Sequence, residues 1–278
     1  EFFFFCFDTF YVILSLRDIM DNVKAKKSLG QNFLKDENIL KKIANSFPLE
    51  EGDLVVEIGS GKGALTKHLA QSKASLLCYE VDERMRPFLS TYESSTSKII
   101  FDDFLKRNLM DDITKDYNHS YIIANIPYYI TTPIIEHVLQ SGIFIDGMTL
   151  LVQKEVALRF TAIPKSKDYG YFTVYLKHFF EAKKLFDVPA HAFTPPPKVT
   201  SSVVQFVRKE NIVSLDVVAF QSFLKQCFSK KRKTLRNNLK MCDWNKILSV
   251  LQKEGFSESV RAEELSYEVF VELFLEVV

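Results

Sequence analysis

Two textures of apolar and polar residues divide this chain of 278 residues. From residue 35 to about residue 209, short apolar runs rich in β-branched residues alternate with stretches of helical spacing. Lys35, Asp36 and Glu37 open a helix whose apolar positions, Ile39, Leu40, Ile43, Ala44 and Phe47, fall on one helical face. Residues 54–58 (LVVEI) read as a buried strand running into a glycine cluster, and residues 64–70 as the helix that follows. Further strands are expected at 76–79 (LLCY), 98–101 (KIIF), 121–124 (YIIA) and 148–152 (MTLLV). A helix is expected at 82–92, and another begins with Thr132 as N-cap and Pro133 at its first position. This alternation predicts an α/β fold, a doubly wound and mostly parallel sheet covered by helices. Residues 184–188 and 202–207 flank a proline-rich loop at 193–198 (FTPPPK) and are expected to pair antiparallel at one sheet edge.

Past residue 209 the strand-like runs stop. Residues 216–276 contain no proline and keep helical periodicity around a reverse turn at Gly255, which predicts a small C-terminal all-α domain at 210–278. The opening of the chain is different again, because residues 2–16 (FFFFCFDTFYVILSL) hold six Phe. That run falls short of the roughly 18–20 apolar residues that span a bilayer. It also contains Asp8, and no basic stretch precedes it. Residues 1–23 therefore read as an N-terminal extension of unclear role, either an extra helix or strand packed on the domain or an idiosyncratic extension, with a targeting remnant as the lesser alternative, and no membrane partner is expected.

Composition narrows the classes of function. With 36 Lys plus Arg against 35 Asp plus Glu the net charge is +1, which excludes a uniformly basic nucleic-acid coat. A 47% hydrophobic chain with 26% charged residues can bury a sizeable core and is not disordered. Cys6, Cys78, Cys227 and Cys242 are scattered, with no C-x-x-C pair and no His at ligand spacing, so neither a metal site nor a disulfide framework is expected. A reducing, cytoplasmic compartment fits. Charge is nonetheless segregated. Between residues 217 and 242 stand seven basic residues (Lys225, Lys230, Lys231, Arg232, Lys233, Arg236 and Lys240) and no acidic one. In a nearly neutral chain that points to a phosphate-facing surface, to which Lys24, Lys26, Lys27 and Lys35 are candidate additions.

The chemistry-bearing residues stand where strands end. Three of the nine glycines, Gly59, Gly61 and Gly63, fall within five residues after the first long strand, where they allow a tight turn and close approach of backbone to ligand. The same stretch satisfies G-x-G-x-x-A, so a dinucleotide enzyme is one reading. Glu80 ends the next strand, placed to accept from the two hydroxyls of a ribose, and either nucleotide ligand would use it. Asp103 follows the third strand, where a carboxylate can hold an adenine amine while Phe104 packs on the ring. After the fourth strand comes Asn125-Ile126-Pro127-Tyr128-Tyr129. An adenine amine is a poor nucleophile because its lone pair is delocalised into the ring. Acceptors such as the Asn125 side-chain oxygen and the Ile126 carbonyl can draw on its two hydrogens and localise that pair. Pro127 rigidifies the turn, and Tyr128 offers a stacking face worth roughly 1–3 kcal/mol to a flipped base.

With these motifs the chain resembles the ribosomal-RNA adenine dimethyltransferases (dimethyladenosine transferases). The resemblance covers about residues 24–240. It rests on KSLGQNFL (27–34), VEIGSGKGALT (56–66), YEVD (79–82), NIPYY (125–129), QKEV (153–156), FTPPPKVTSSV (193–203) and KRKTLRN (231–237). It implies a Rossmann-like methyltransferase sheet in a domain at 24–209, an RNA-binding role for the helical domain, and S-adenosylmethionine as methyl donor without a metal. Asn32, Leu34, Gly59, Gly61, Glu80, Val81, Asp103, Phe104 and Asn125 would contact that cofactor. Asn125, Ile126, Pro127 and Tyr128 would hold the target adenine, with Phe193 as a second stacking face. Lys230, Lys231, Arg232, Lys233 and Arg236 would contact RNA. The implied activity is N6,N6-dimethylation of two adjacent adenines in a hairpin loop near the 3′ end of small-subunit ribosomal RNA, within a pre-ribosomal particle. A monomer in the cytoplasm, or in an organelle for a eukaryotic source, goes with it. Two features depart from the family pattern: Asp-Phe at 103–104, where many relatives have Asp-Ala, and the Phe-rich opening.

Three other readings compete. An erythromycin-resistance type methyltransferase, acting on large-subunit RNA, shares NIPYY and the glycine loop, but FTPPPKVTSSV and KRKTLRN look like the small-subunit family. A mitochondrial transcription factor on the same scaffold would keep the fold with an added binding role. A dehydrogenase leaves NIPYY unexplained.

Overall fold

The computed structural model describes residues 23–277. The Phe-rich run at 2–16 lies outside the described residues, as does nearly all of the extension read at 1–23. In chain order the first elements are β1 (Phe33–Leu34), α1 (Glu37–Ala44), β2 (Leu54–Ile58), α2 (Thr66–Leu69), β3 (Ser75–Glu80), α3 (Arg86–Leu89) and β4 (Ser97–Phe101). Then come α4 (Leu109–Asp112), β5 (Ser120–Asn125), α5 (Thr131–Gln140), β6 (Gly147–Gln153), α6 (Lys154–Phe160), α7 (Tyr171–Phe179) and β7 (Phe180–Val188). The last are β8 (Phe193–Thr194), β9 (Ser201–Arg208), α8 (Val217–Cys227), α9 (Leu235–Asn238), α10 (Trp244–Lys253) and α11 (Tyr267–Val277).

By compactness the chain divides into two units, one running up to Val152 and taking in Asp187–Ser201, the other made of Gln153–Phe186 and Ser202–Val278. The first unit holds a parallel sheet in the order β4-β3-β2-β5-β6. Leu54 stands opposite Ser75 on one side and Ser120 on the other, and Tyr121 stands opposite Gly147. All five residues of β2 are buried, including Glu57, as expected for a parallel strand covered on both faces. The chain winds outward from β2 through β3 to β4, then returns to β5 on the other side of β2. That reversal puts a topological switch point at the carboxyl ends of β2 and β5, the place where open α/β sheets bind ligands. Helix α1 starts where the sequence indicates: the Asp36 side chain caps it by accepting from the N–H groups of Asn38 and Ile39, both at 3.0 Å.

Three elements differ from the sequence reading. The helix expected at 82–92 is broken into a 3-10 turn at Glu83–Met85, the short α3 and a 3-10 turn at Ser90–Tyr92, because Pro87 has no N–H to extend a continuous ladder through this stretch. Helix α5 begins at Thr131, not after a Thr132 cap, because it continues from a 3-10 turn at Tyr128–Ile130; the Thr131 hydroxyl donates to the Tyr128 carbonyl at 3.3 Å. Helix α7 was not picked out from the sequence, since seven of its nine residues are buried and no polar face marks the helical period.

In the second unit β7 and β9 are hydrogen-bonded neighbours, and the Lys209 N–H donates to the Phe179 carbonyl at 2.9 Å. The end of one strand therefore lies beside the start of the other, the antiparallel arrangement expected. Residues 153–186 and 202–209, read from sequence as part of the first domain, group by compactness with the C-terminal helices. The reason is a shared core. The Tyr169 hydroxyl donates to the Leu265 carbonyl at 2.9 Å, and Phe160 and Phe180 pack on Phe206 with centroids 5.6 and 6.2 Å away. Buried His178 sits 3.0 Å from the Tyr267 hydroxyl through Nδ1. Among the described residues no helix is long and apolar enough to cross a membrane.

Burial, with a smaller contribution from the charges of Lys209 and Arg208, holds the His178 imidazole down to about 4. The folded state binds that proton less readily than the unfolded chain, so this contribution is fully present above pH 6.5 and is lost as pH falls towards 4. Urea unfolding should lose stability across that window with a slope of up to ~1.4 kcal/mol per pH unit. His178→Phe should flatten the slope, and an unchanged slope would assign it to other groups.

Candidate active site

One cleft, partly open to solvent, lies at the carboxyl ends of β2 to β5 in the first unit. Asn32, Leu34, Gly59, Gly61, Glu80, Val81, Asp103, Phe104, Asn125, Ile126, Pro127 and Tyr128 all line it. Of the residues expected to hold cofactor or base, Phe193 is the exception. It pairs with Leu34 in the β1–β8 ladder and is 1% exposed, so it offers no face to the cleft here.

The glycine loop is shaped by backbone that a side chain could not follow. Gly59 and Gly61 have φ of +75° and +56°, and a Cβ at Gly61 would stand 3.0 Å from the Phe33 ring. The Gly61 N–H donates to Glu80 Oε2 at 2.6 Å, while the Asp82 N–H donates to Glu80 Oε1 at 2.8 Å. Glu80 is therefore clamped at the end of β3 with both oxygens engaged by main chain. A carboxylate offers about four acceptor positions, so two remain for hydroxyls of a ligand. Burial raises the Glu80 carboxyl above its ordinary value, and the N–H groups of Asp82 and Gly61 oppose that rise. Beneath the loop, Glu57 is pushed up to about 7, chiefly by burial, with Glu80 adding to the rise; Thr66 donates to it at 2.6 Å.

Asp103 caps a 3-10 turn at Phe104–Lys106, accepting the Leu105 N–H through Oδ1 at 3.2 Å, with Oδ2 3.8 Å from Lys106 Nζ. Phe104 is buried, edge-on to Tyr79 and His137 with centroids 5.0 and 5.3 Å away. A larger side chain at this position thus reaches into the wall of the cleft and is held there by two rings. At the other end, Asn125 closes β5, and its Nδ2 donates to the Asn32 carbonyl at 3.3 Å. That bond occupies the amide nitrogen and leaves Oδ1 as the group available to accept. The Tyr128 hydroxyl is 2.5 Å from Ser201 Oγ, and burial raises its pKa, so it stays protonated near neutrality.

Several contributors were not picked out from sequence. Phe33 lies under Gly61, and Lys62 Nζ stands 5.7 Å from the Phe33 ring. Asp82 gathers the N-terminal segment: Gln31 Nε2 donates to it at 3.0 Å, Lys26 Nζ lies at 3.5 Å, and Arg84 pairs with it through Nε and NH2. These partners hold its carboxyl well below the usual range, Arg84 foremost. Phe33, Gln31 and Asp82 all stand in the quoted motifs, but only the fold shows what they touch. Among the described residues no group of three or more His, Cys, Asp or Glu is placed to hold a metal ion.

The basic run lies in the second unit as an exposed turn between α8 and α9. Lys230, Lys231, Arg232 and Lys233 are exposed, and the turn is closed by the Lys233 N–H on the Lys230 carbonyl at 2.9 Å. Lys231 Nζ donates to the Lys167 carbonyl at 2.7 Å. Arg236 is paired with Glu258 at 2.5 Å and lies over Trp244, so its charge is partly spent within the protein.

Comparison with known proteins adds to this geometry. A family model described as ribosomal RNA adenine dimethylase matches residues 22–278. The ribosomal RNA small subunit methyltransferase A of Mycoplasma mobile is 41% identical over 254 residues, 90% of this chain and 97% of that protein. The protein of that name from Thermotoga petrophila is 43% identical over 255 residues, 91% of each. A crystal structure of a dimethyladenosine transferase from Plasmodium falciparum superposes with a TM-score of 0.74 at 27% identity, covering 88% of this chain and 96% of that one.

Gly61→Ala tests the cradle. Forcing a left-handed alanine costs about 1–2 kcal/mol, and its Cβ would press on Phe33, so S-adenosylhomocysteine affinity should fall by about tenfold or more in calorimetry. NADH should bind neither protein. Unaltered S-adenosylhomocysteine binding in the variant, or micromolar NADH binding by the parent, would remove the glycine loop from this role.

Proposed function

The chain belongs to the ribosomal RNA adenine dimethylase family, and from that membership we propose that it dimethylates the N6 amines of two adjacent adenines in a hairpin loop near the 3′ end of small-subunit ribosomal RNA, during assembly of that subunit. The observation that carries this reading is Asn125 Oδ1, left free to accept by the Asn32 bond, in the same cleft as the Glu80–glycine clamp. S-adenosylmethionine, when bound, supplies a methyl group on a positively charged sulfur. The residues lining the cleft fit that group: the glycine loop, the spare acceptor positions of Glu80, Asp103 for an adenine amine, and Val81 and Phe104 as apolar flanks.

Asn125 Oδ1 and the Ile126 carbonyl hold the hydrogens of the target amine and localise its lone pair. Tyr128 gives the flipped base a stacking face. A monomethylated amine keeps one hydrogen, so one acceptor still aligns it for the second transfer. The chemistry is displacement at carbon and needs position more than a strong base. Among the described residues no His or Cys lines the cleft. The exposed turn at 230–233 meets RNA phosphates and orients the particle. The enzyme acts as a monomer, in the cytoplasm.

Two experiments test this reading. Asn125→Ala should lower turnover on immature small subunits by about two orders of magnitude or more, the scale for losing one preorganised polar contact to developing charge, with little change in S-adenosylhomocysteine affinity. Near-normal turnover would exclude Asn125 from the mechanism. Charge reversal of Lys231, Arg232 and Lys233 to Glu should weaken particle binding and flatten its log–log salt dependence by about two units or more, since each lost phosphate contact releases fewer counterions. An unchanged slope would move the RNA surface elsewhere, with Lys24 and Lys26 next in line.

A further inference from the structure

Tyr128 and Ser201 are 73 residues apart in sequence, yet their hydroxyls meet at 2.5 Å. Ser201 is 0% exposed and opens β9, directly after the proline-rich stretch at 193–198. Tyr128 starts a single 3-10 turn, a short element with poor hydrogen-bond geometry of its own. A tyrosine ring is joined to such a backbone by two rotatable bonds, so its placement depends on what holds its far end. The phenol oxygen lies on the long axis of the ring. A hydrogen bond there fixes the direction of that axis, while packing sets the rotation about it. The anchor itself cannot wander, because the Ser201 side chain is short, enclosed and attached to a strand.

We propose that Ser201 is a positioning residue for methyl transfer, whose hydroxyl fixes the direction of the Tyr128 ring's long axis, and so where the stacking face for the target adenine stands. The inference rests on reading Tyr128 as the stacking face. It gives the Tyr128 hydroxyl a task that is neither acid nor base: it ties the ring to the protein and touches no reacting atom. A phenylalanine at 128 would keep the aromatic face and lose its alignment.

The test is a double-mutant cycle on immature small subunits, with S-adenosylhomocysteine affinity measured for each protein as evidence of folding. Ser201→Ala and Tyr128→Phe should each lower kcat by about three- to tenfold, with KM for the particle and cofactor affinity nearly unchanged, because remote contacts bind the particle. The double variant should be no more than about twofold worse than the poorer single variant, since both changes cut one bond. Multiplicative losses, or a Ser201→Ala variant with parental kcat, would overturn the proposal. If Ser201→Ala fails to bind S-adenosylhomocysteine, Tyr128→Phe breaks the same bond from the other side, and unchanged turnover in that protein overturns it. Tyr128→Ala separates the proposal from the reading beneath it. Near-parental turnover in Tyr128→Ala removes Tyr128 from base binding altogether, whereas a severe loss there with a harmless Ser201→Ala sinks only the anchor.

Discussion

The two hydrogen bonds on Glu80 are the constraint from which the site is built. One carboxylate, buried at the end of β3, accepts the N–H of Gly61 at 2.6 Å and that of Asp82 at 2.8 Å. A buried carboxylate without partners would be costly, and here the main chain of two loops satisfies it. The bond to Gly61 holds the glycine loop in a left-handed conformation that exposes backbone to a ligand. The bond to Asp82 begins a second set of contacts, through Gln31, Lys26 and Arg84, that ties down the segment carrying Asn32. Asn32 in turn orients the Asn125 amide. A single buried carboxyl thus connects the glycine-loop side of the cleft with the side that carries Asn125.

This linkage explains why a nearly neutral protein can concentrate its chemistry. Glu57, directly under the loop, is pushed up to about 7 by burial and by Glu80. A proton on Glu57 relieves the repulsion between two enclosed carboxyls. Phe33, pressed on Gly61, and Phe104, held by Tyr79 and His137, wall the same space with apolar surface. Rigidity comes from packing, and specificity from a few polar atoms held by main chain.

Most of the sheet was legible because parallel strands buried on both faces read as continuous apolar runs, as 54–58 and 148–152 do. The cleft was legible because glycines, Glu80, Asp103 and Asn125 stand at strand ends, where topology gathers them. What the sequence hid depended on long-range contact. Helix α7 has no polar face, so its period is invisible. Pro87 splits a helix that the apolar spacing alone would continue. Phe193 sits in a motif beside other site residues, yet its pairing with Leu34 buries it. Ser201 lies in the same motif, and nothing in its neighbours announces a bond to Tyr128. The basic run was read as a phosphate-facing surface without a backbone shape, and it is a turn, since Asn238 pulls the chain back by donating to the Cys227 carbonyl at 2.6 Å.

On the proposed function, this cleft places two methyl groups on the exocyclic nitrogen of adenine. Incubating the protein with immature small subunits and methyl-labelled S-adenosylmethionine, then digesting the RNA to nucleosides for mass spectrometry, tests it most directly. The expected end product is N6,N6-dimethyladenosine, with N6-methyladenosine as a transient, confined to two adjacent positions of small-subunit RNA. Label on another base, on a ring nitrogen of adenine, or only on large-subunit RNA would contradict it.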